Sequence, residues 1–353
     1  MGGKEGHFLQ RWVKIDLRAV AHNVRVVRQL LGPSIHFTAV VKSDGYGHGA
    51  VAIAQTALRN GADDLAVTYL NEALALRQSG VTAPLLVMGP VEPEAAGCVA
   101  RDNISVMLDN QRLLTALGRT GRSVNVHLEL EMGMHRWGIR PGELATFARR
   151  VRGTSCLSLA GIFAHPGYMV EKNKRHVVDR IKSGVLEISR AGLSRVPFHV
   201  ANSALLLDFS RFRLNHVRVG NLIYGINPTK KKLDLRNPWR AQSRLVRVSQ
   251  IRAGESVGYG GAFTAPRKMV IGTVPVGYAD GFTLEPATLI SRRGGPLSFW
   301  GWVQKEKCPL VGRVGMNHAL FDLSAVSSPR EGMVIDVPLR RTAAALWPKI
   351  YRT

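Results

Sequence analysis

The chain predicts an α/β protein built as a (β/α)8 barrel followed by a mostly β C-terminal domain. Three observations lead there. From residue 36 to about residue 220, short β-rich runs alternate with helical stretches, the pattern of parallel βα units. The alternation supplies eight candidate strands, the number that closes a barrel. After Gly225 the texture changes to strands separated by Gly- and Pro-rich turns. An open doubly wound sheet is the alternative reading of the same alternation. A length of 353 residues suits two domains better than a single core.

The barrel strands are expected at His36–Lys42, Leu65–Thr68, Leu85–Met88, Ile104–Leu108, Val124–Glu131, Leu159–His165, Phe198–Ala201 and Asn215–Val219. Ala50–Arg59, Leu70–Gln78 and Glu143–Val151 read as helices between them. In the second domain, Arg247–Ile251, Lys268–Val276, Leu310–Met316 and Ala319–Leu323 read as strands. The boundary falls within Asn227–Trp239, so the expected division is residues 1–230 and 231–353.

Side chains alternate along a strand, and catalytic groups of a barrel gather at the C-terminal strand ends. Phe37, Ala39 and Val41 share one face of the first strand; Thr38, Val40 and Lys42 share the other, so Lys42 is expected at the catalytic rim. On the fifth strand, Val124, Val126, Leu128 and Leu130 suit packing on helices. Asn125, His127, Glu129 and Glu131 would then face the interior. Buried carboxylates are costly unless paired, so such an interior implies a ligand or basic partners. His165, His199 and Arg218 are expected on the sixth, seventh and eighth strands, which makes a site with Lys42.

Composition excludes several classes. No apolar run reaches the roughly 18 residues of a membrane-spanning helix, so no membrane partner is expected. Cys98, Cys156 and Cys308 are far apart, as reduced thiols are, and the first seven residues contain no apolar h-region; cytoplasm is the expected compartment. The 48 Lys+Arg against 25 Asp+Glu give a net charge of +23. These basic residues are scattered in short groups without an aromatic stacking pattern, so a solvated surface with weak polyanion attraction is expected, not specific nucleic-acid binding.

The segment Ala39-Val-Val-Lys-Ser-Asp-Gly-Tyr-Gly-His-Gly49 resembles the cofactor motif of the alanine racemase family, in which the lysine bonds pyridoxal 5′-phosphate (PLP). Further motifs follow in the family's order. They are Trp12–Asn23, Met132–Gly138, Ala201-Asn-Ser203, Arg218-Val-Gly220 with Tyr224-Gly225, Val257-Gly-Tyr-Gly260, Val276–Gly281 and Gly312–Met316. The resemblance implies a PLP-binding barrel, a β domain, and a head-to-tail homodimer in which each β domain completes the partner's site.

Carried onto these positions, the resemblance implies that Lys42 holds PLP and acts as one acid/base group at the substrate Cα. Tyr259 of the second subunit would be the other, on the opposite face. A free phenol with a pKa of about 10 is a poor base at neutral pH, and His165 would polarise it. Arg218 would face the pyridine nitrogen with His199 supporting it; a guanidinium gives up no proton there, which limits side reactions. Tyr46, Ser203 and Gly220, with the neighbouring Asn202 and Tyr224, would bind the cofactor and its phosphate. Arg136 and the backbone of Met316 would hold the substrate carboxylate. The implied activity is alanine racemisation, supplying D-alanine for peptidoglycan; no metal is implied.

Several positions depart from the family pattern. Glu129 stands where many members carry a carbamylated lysine, and as a ready carboxylate it is expected to neutralise and orient Arg136. Glu131-Met132 and Met316-Asn317 replace the usual Asp-Thr and Met-Asp, and Val219 replaces a proline. Pro166–Val170 departs from the usual polar run, and Tyr351 is too near the end to match the family's late phosphate-binding tyrosine. These changes leave open a racemase of serine or another amino acid. A related decarboxylase would need a catalytic cysteine in its β domain, and a non-catalytic PLP-binding protein would lack that domain.

Overall fold

A computed structural model describes residues 9–168, 174–282 and 300–353. The chain forms two compact units: Leu17–Asn237, and the chain up to Asp16 together with Pro238–Thr353. The break between Asn237 and Pro238 falls inside the Asn227–Trp239 stretch, and the residues up to Asp16 fall in the second unit. The first strand, β1 (Arg11–Asp16), is antiparallel to β10 (Trp239–Arg244) and parallel to β19 (Lys349–Arg352), so it belongs to the β unit. Non-local pairing of this kind leaves no mark on local sequence.

In the barrel unit, α1 (Leu17–Leu31) buries Val20, Val24, Val27 and Leu31, spaced as one helical face. The strands are β2 (His36–Val40), β3 (Asp64–Val67), β4 (Leu85–Val87), β5 (Ser105–Leu108), β6 (Val124–Glu129), β7 (Leu157–Phe163), β8 (Phe198–His199) and β9 (His216–Val219). All neighbours are parallel, in the order β8-β7-β6-β5-β4-β3-β2-β9. A bridge between Ala201 and Val217 joins the two ends, and the Arg218 amide donates to the Ala201 carbonyl at 3.0 Å. The barrel reading therefore holds over the open sheet. Helices α2 (Lys42–Gly47), α3 (Ala50–Arg59), α4 (Leu70–Gln78), α5 (Ala96–Arg101), α6 (Gln111–Arg119), α7 (Leu144–Arg152), α8 (Lys174–Arg190) and α9 (Ser203–Asp208) fall between strands.

The face assignment of β2 is confirmed. Phe37 packs outward beneath the Arg28 guanidinium of α1, whereas Val40 meets Ala66 and Leu86 in the interior. On β6, Val126 and Leu128 are fully buried, while His127 and Glu129 point inward. Two expectations for this strand need correction. Asn125 is exposed, and Glu131 lies beyond the strand, where its Oε1 accepts from the Gly133 and His135 amides. A turn with those amides to satisfy offers a carboxylate a far better place than an apolar barrel wall.

The β unit holds a nine-stranded sheet in the order β11-β14-β17-β16-β15-β18-β10-β1-β19 and the small pair β12-β13. Its elements, besides those above, are β11 (Arg247–Ile251), β12 (Ser256–Val257), β13 (Phe263–Thr264), β14 (Met269–Val274), β15 (Trp300–Val303), β16 (Glu306–Val311), β17 (Ala319–Asp322) and β18 (Val334–Val337). The strand expected at Leu310–Met316 is displaced: pairing ends at Val311, and Gly312–Met316 is a loop. Val257, Met269, Ile271 and Val311 make one of its cores. Among the described residues, no helix of either unit is long and apolar enough to cross a membrane.

Candidate active site

Lys42 does not end β2 as expected. The strand stops at Val40, and Lys42 opens a short segment in which Ser43, Asp44, Gly45 and Tyr46 all lie in the left-handed region, with φ between 52° and 59°. Three of the four carry a Cβ, at a cost of roughly 1–2 kcal/mol each. Hydrogen bonds hold the turn in place. Asp44 Oδ1 accepts from the Ala50 amide at 2.9 Å, and Gly45 N donates to the Val41 carbonyl at 2.9 Å. Glu72 on α4 accepts from the Ser43 amide with one oxygen, and from the Thr68 and Tyr69 amides with the other. Strain concentrated at the rim of a barrel is a mark of a functional site.

The strained turn delivers Lys42 and Tyr46 to a cavity of about 1060 Å³. Its wall also includes Arg136, His165, Asn202, Ser203, Arg218 and Gly220, so eight predicted residues from separate stretches converge on one space. Burial lowers the Lys42 pKa, and Arg136 and Arg218 lower it further, against the opposing Glu72. Burial chiefly, then the cations Arg218, Arg136 and Lys42, pushes His165 down to about 4, so its imidazole is neutral at pH 7.

Arg218 is buried at the base of this cavity. It donates to the His199 and Ala164 carbonyls, lies 3.1 Å from His199 Nδ1, and packs on the Phe163 ring. His199 Nε2 in turn meets His127 Nδ1 at 3.1 Å. Burial lowers Arg218 to about 10, which still leaves it a cation at neutral pH. His199 therefore stands behind Arg218 and not in the cavity wall.

Gly220 has a steric reason: a Cβ there would lie 2.5 Å from the Tyr46 hydroxyl. Beneath, Tyr224 is fully buried, stacks on the Tyr46 ring at 4.5 Å, and donates its hydroxyl to the Val40 carbonyl at 3.0 Å. It supports Tyr46 from behind and does not line the cavity. Asn202 caps α9, its Oδ1 accepting from the Ala204 and Leu205 amides at 3.0 Å each.

Glu129 is also behind the wall, 3 % exposed, with Oε1 3.7 Å from Arg136 Nη2. The ion pair is long, and burial outweighs it: the carboxyl is pushed up to about 8 although Arg136 and Arg218 pull it down. Its Oε2 is buried, and the neighbouring Trp137 side chain also pulls the carboxyl down.

Tyr259 and Met316 stand in the β unit, 63 % and 55 % exposed. Tyr259 follows the β12 strand between Gly258 and Gly260, both at positive φ, so the loop presents the phenol to its surroundings. The Met316 carbonyl accepts from the Ala279 amide at 3.0 Å, and a Cβ at Gly277 would meet that carbonyl oxygen at 2.2 Å. Met316 and the Val276–Gly281 motif are thereby one packed loop pair.

Sequence reasoning missed three residues. Glu72 ties the β2 and β3 ends together, its signal being a glutamate three residues into a helix start. Trp137, whose ring lies 3.9 Å from the Arg136 guanidinium, shapes the wall. Tyr168, within the departing segment Pro166–Val170, lines the cavity and donates to Asp208; Met169 and Val170 lie outside the described residues.

The comparisons with known proteins bear on both units. The sequence model described as alanine racemase, N-terminal domain, matches residues 15–228, and that for the C-terminal domain matches residues 239–342. The chain belongs to the alanine racemase family. A relative from Desulfovibrio desulfuricans, an alanine racemase, is 33% identical over 351 residues, covering 95% of this chain and 92% of that protein. One from Nostoc is 32% identical over 93% of this chain and 86% of its own length. Among solved structures, alanine racemase from E. faecalis aligns with a TM-score of 0.83 at 28% identity, covering both chains completely. That from Clostridium difficile aligns with a TM-score of 0.86 at 25% identity, over 98% of this chain and 96% of the other. The family thus spans the barrel and β units alike, which accords with the barrel and β organisation read from the motifs.

Proposed function

We propose that this chain is a PLP-dependent isomerase that interconverts L- and D-alanine, working as a homodimer with Lys42 and the partner's Tyr259 as its two bases. The observation that carries the reading is the convergence of Lys42 and Arg218 on one cavity, within a chain of this family. The residues present fit the cofactor. A lysine amine of lowered pKa, a buried guanidinium, and the hydroxyls of Tyr46 and Ser203 beside Gly220 offer partners for an aldehyde, a pyridine nitrogen and a phosphate.

When bound, PLP withdraws electrons from the substrate Cα–H bond and so makes that proton removable. Everything else is the chain's work. Lys42 Nζ, whose ammonium form burial and two nearby guanidinium groups disfavour, takes or returns the proton on one face. The phenolic oxygen of the partner's Tyr259 serves the other face, as inversion requires. His165, neutral in its buried position, accepts from that phenol and lowers the cost of its ionisation. Arg218 keeps its protons and its charge, so as a donor it would hold the pyridine nitrogen of the cofactor as an unprotonated acceptor. Asn202, by capping α9, and Tyr224, by backing Tyr46, would position the groups that hold the phosphate. Arg136 and the Met316 backbone hold the substrate carboxylate, with Glu129 orienting Arg136. On this reading the enzyme acts in the cytoplasm and supplies D-alanine for peptidoglycan.

The test is chiral analysis of a panel of L-amino acids incubated with PLP-loaded protein, together with its visible spectrum. Alanine is expected to be inverted fastest. Lys42→Ala should abolish the bound-cofactor absorbance, and Tyr259→Phe should retain it while losing roughly 100-fold or more in rate. A panel in which no amino acid is inverted overturns the proposal.

A further inference from the structure

The end of the barrel opposite the candidate site carries a second constellation. His36, Asp64 and His216 open the adjacent strands β2, β3 and β9. His36 and His216 are direct register partners. Each of the three residues offers one ligand atom, and these atoms lie within 4.8 Å of one another.

From this cluster we infer a binding site for a divalent transition-metal ion of the imidazole-preferring kind, such as Zn²⁺ or Co²⁺, at the N-terminal mouth of the barrel.

Four observations carry it. His36 Nε2 and Asp64 Oδ2 are hydrogen-bonded at 2.9 Å, and an ion replacing that shared proton needs them to part only to the roughly 3.3 Å separating two ligands of a tetrahedral ion with bonds near 2.0 Å. Asp64 Oδ1 is buried and accepts no hydrogen bond, so the carboxylate retains a donor oxygen that the protein leaves unsatisfied. His216 is held in advance: its Nε2 meets the Thr38 hydroxyl at 2.6 Å, and its ring stacks on His199 at 4.1 Å. Such outer contacts fix ring orientation in metal sites. His36, by contrast, is 43% exposed and can swing to close the remaining gap.

A plain structural His–Asp pair would need His36 and Asp64 alone. It gives no reason for a second histidine at the register partner of the first, pinned by its own hydroxyl. Two imidazoles and one carboxylate leave coordination positions open to water, as suits Zn²⁺ or Co²⁺ better than Mg²⁺ or Ca²⁺. None of these residues lines the cofactor cavity, so the inference stands apart from the proposed racemisation.

The test titrates untagged, full-length, chelator-treated protein with Zn²⁺ by calorimetry and with Co²⁺ by visible absorption. The wild-type chain is expected to bind one equivalent at this site, with tetrahedral-type Co²⁺ absorption. His36→Ala and Asp64→Asn should each weaken it at least tenfold, and Thr38→Val, removing only the outer contact, by roughly tenfold. Melting temperatures in chelator establish that each variant folds; His36 is exposed enough to be replaced without loss of core. His22→Ala, at the separate His22–Asp234 pair, should leave binding as it was. Wild-type protein that binds neither ion overturns the site, as does equal binding by wild type, His36→Ala and Asp64→Asn.

Discussion

Glu129 shows how one residue's environment can reverse its expected chemistry. As a sequence position it offers a carboxylate for Arg136, yet burial raises its pKa to about 8 and leaves it largely neutral at pH 7. Ionisation should then strengthen the contact with Arg136 only above that value. Glu129→Gln copies the neutral form, so its effect is expected to be small at pH 7. At pH 9 it should raise the KM for alanine roughly tenfold, the scale of a charge-assisted contact. Steady-state kinetics across pH 6.5–9.5 checks this; a KM ratio that does not change with pH would remove Glu129 from the site. Arg218 presents the opposite case, since burial lowers its pKa only to about 10 and cannot discharge it.

Among the elements, the left-handed turn after β2 and the β9 end depend on each other. Tyr46 is held at φ 55° by the turn, and its hydroxyl occupies the space a side chain at position 220 would need. Gly220→Ala should therefore push Tyr46 from its stack on Tyr224. Overpacking of this kind costs about 1–3 kcal/mol, so apo-protein should bind PLP roughly tenfold more weakly. A spectroscopic PLP titration measures it, with circular dichroism to verify the fold. Unchanged affinity would mean that Tyr46 can yield without consequence. The glycine-flanked Tyr259 loop is the corresponding device of the β unit, presenting one aromatic side chain where packing would ordinarily hide it.

Over the whole molecule, the barrel interior is unusually rich in histidine. Burial lowers His127 and His165 to about 4 and His216 to about 2, and holds His199 well below its ordinary value. Between pH 6.5 and about 4 the unfolded chain binds protons at these positions that the folded chain refuses, so stability falls as pH falls through that window. Glu129, raised instead, works in the other direction between about 4.5 and 8. His36 is raised as well, chiefly by Asp64, and its contribution is full below about 6.5 and lost as pH rises through its folded value. Four lowered histidines outweigh these opposing groups on the acid side. The melting temperature of ligand-free protein should drop steeply from pH 6.5 to 4.5, and a flat profile there would contradict the burial of these rings.

Sequence alone determined what periodicity and local chemistry can encode. The alternation of β2 to β9 with helices gave the barrel, because strands and helices need particular residues in particular order, and the resemblance of Ala39–Gly49 to a family motif marked Lys42. Inward-facing His127 and Glu129 followed from strand alternation, and Arg218 from its match to a family motif. Only the tertiary structure decided that β1 joins the β unit, that Glu131 caps a turn, that Tyr224 and His199 act from behind the cavity wall, and that Glu72 pins two strand ends. It likewise decided that His36, Asp64 and His216 meet. The reason is the same for each: these are contacts between residues distant along the chain, and their energies depend on burial and on the partner met across space, neither of which a local stretch of residues specifies.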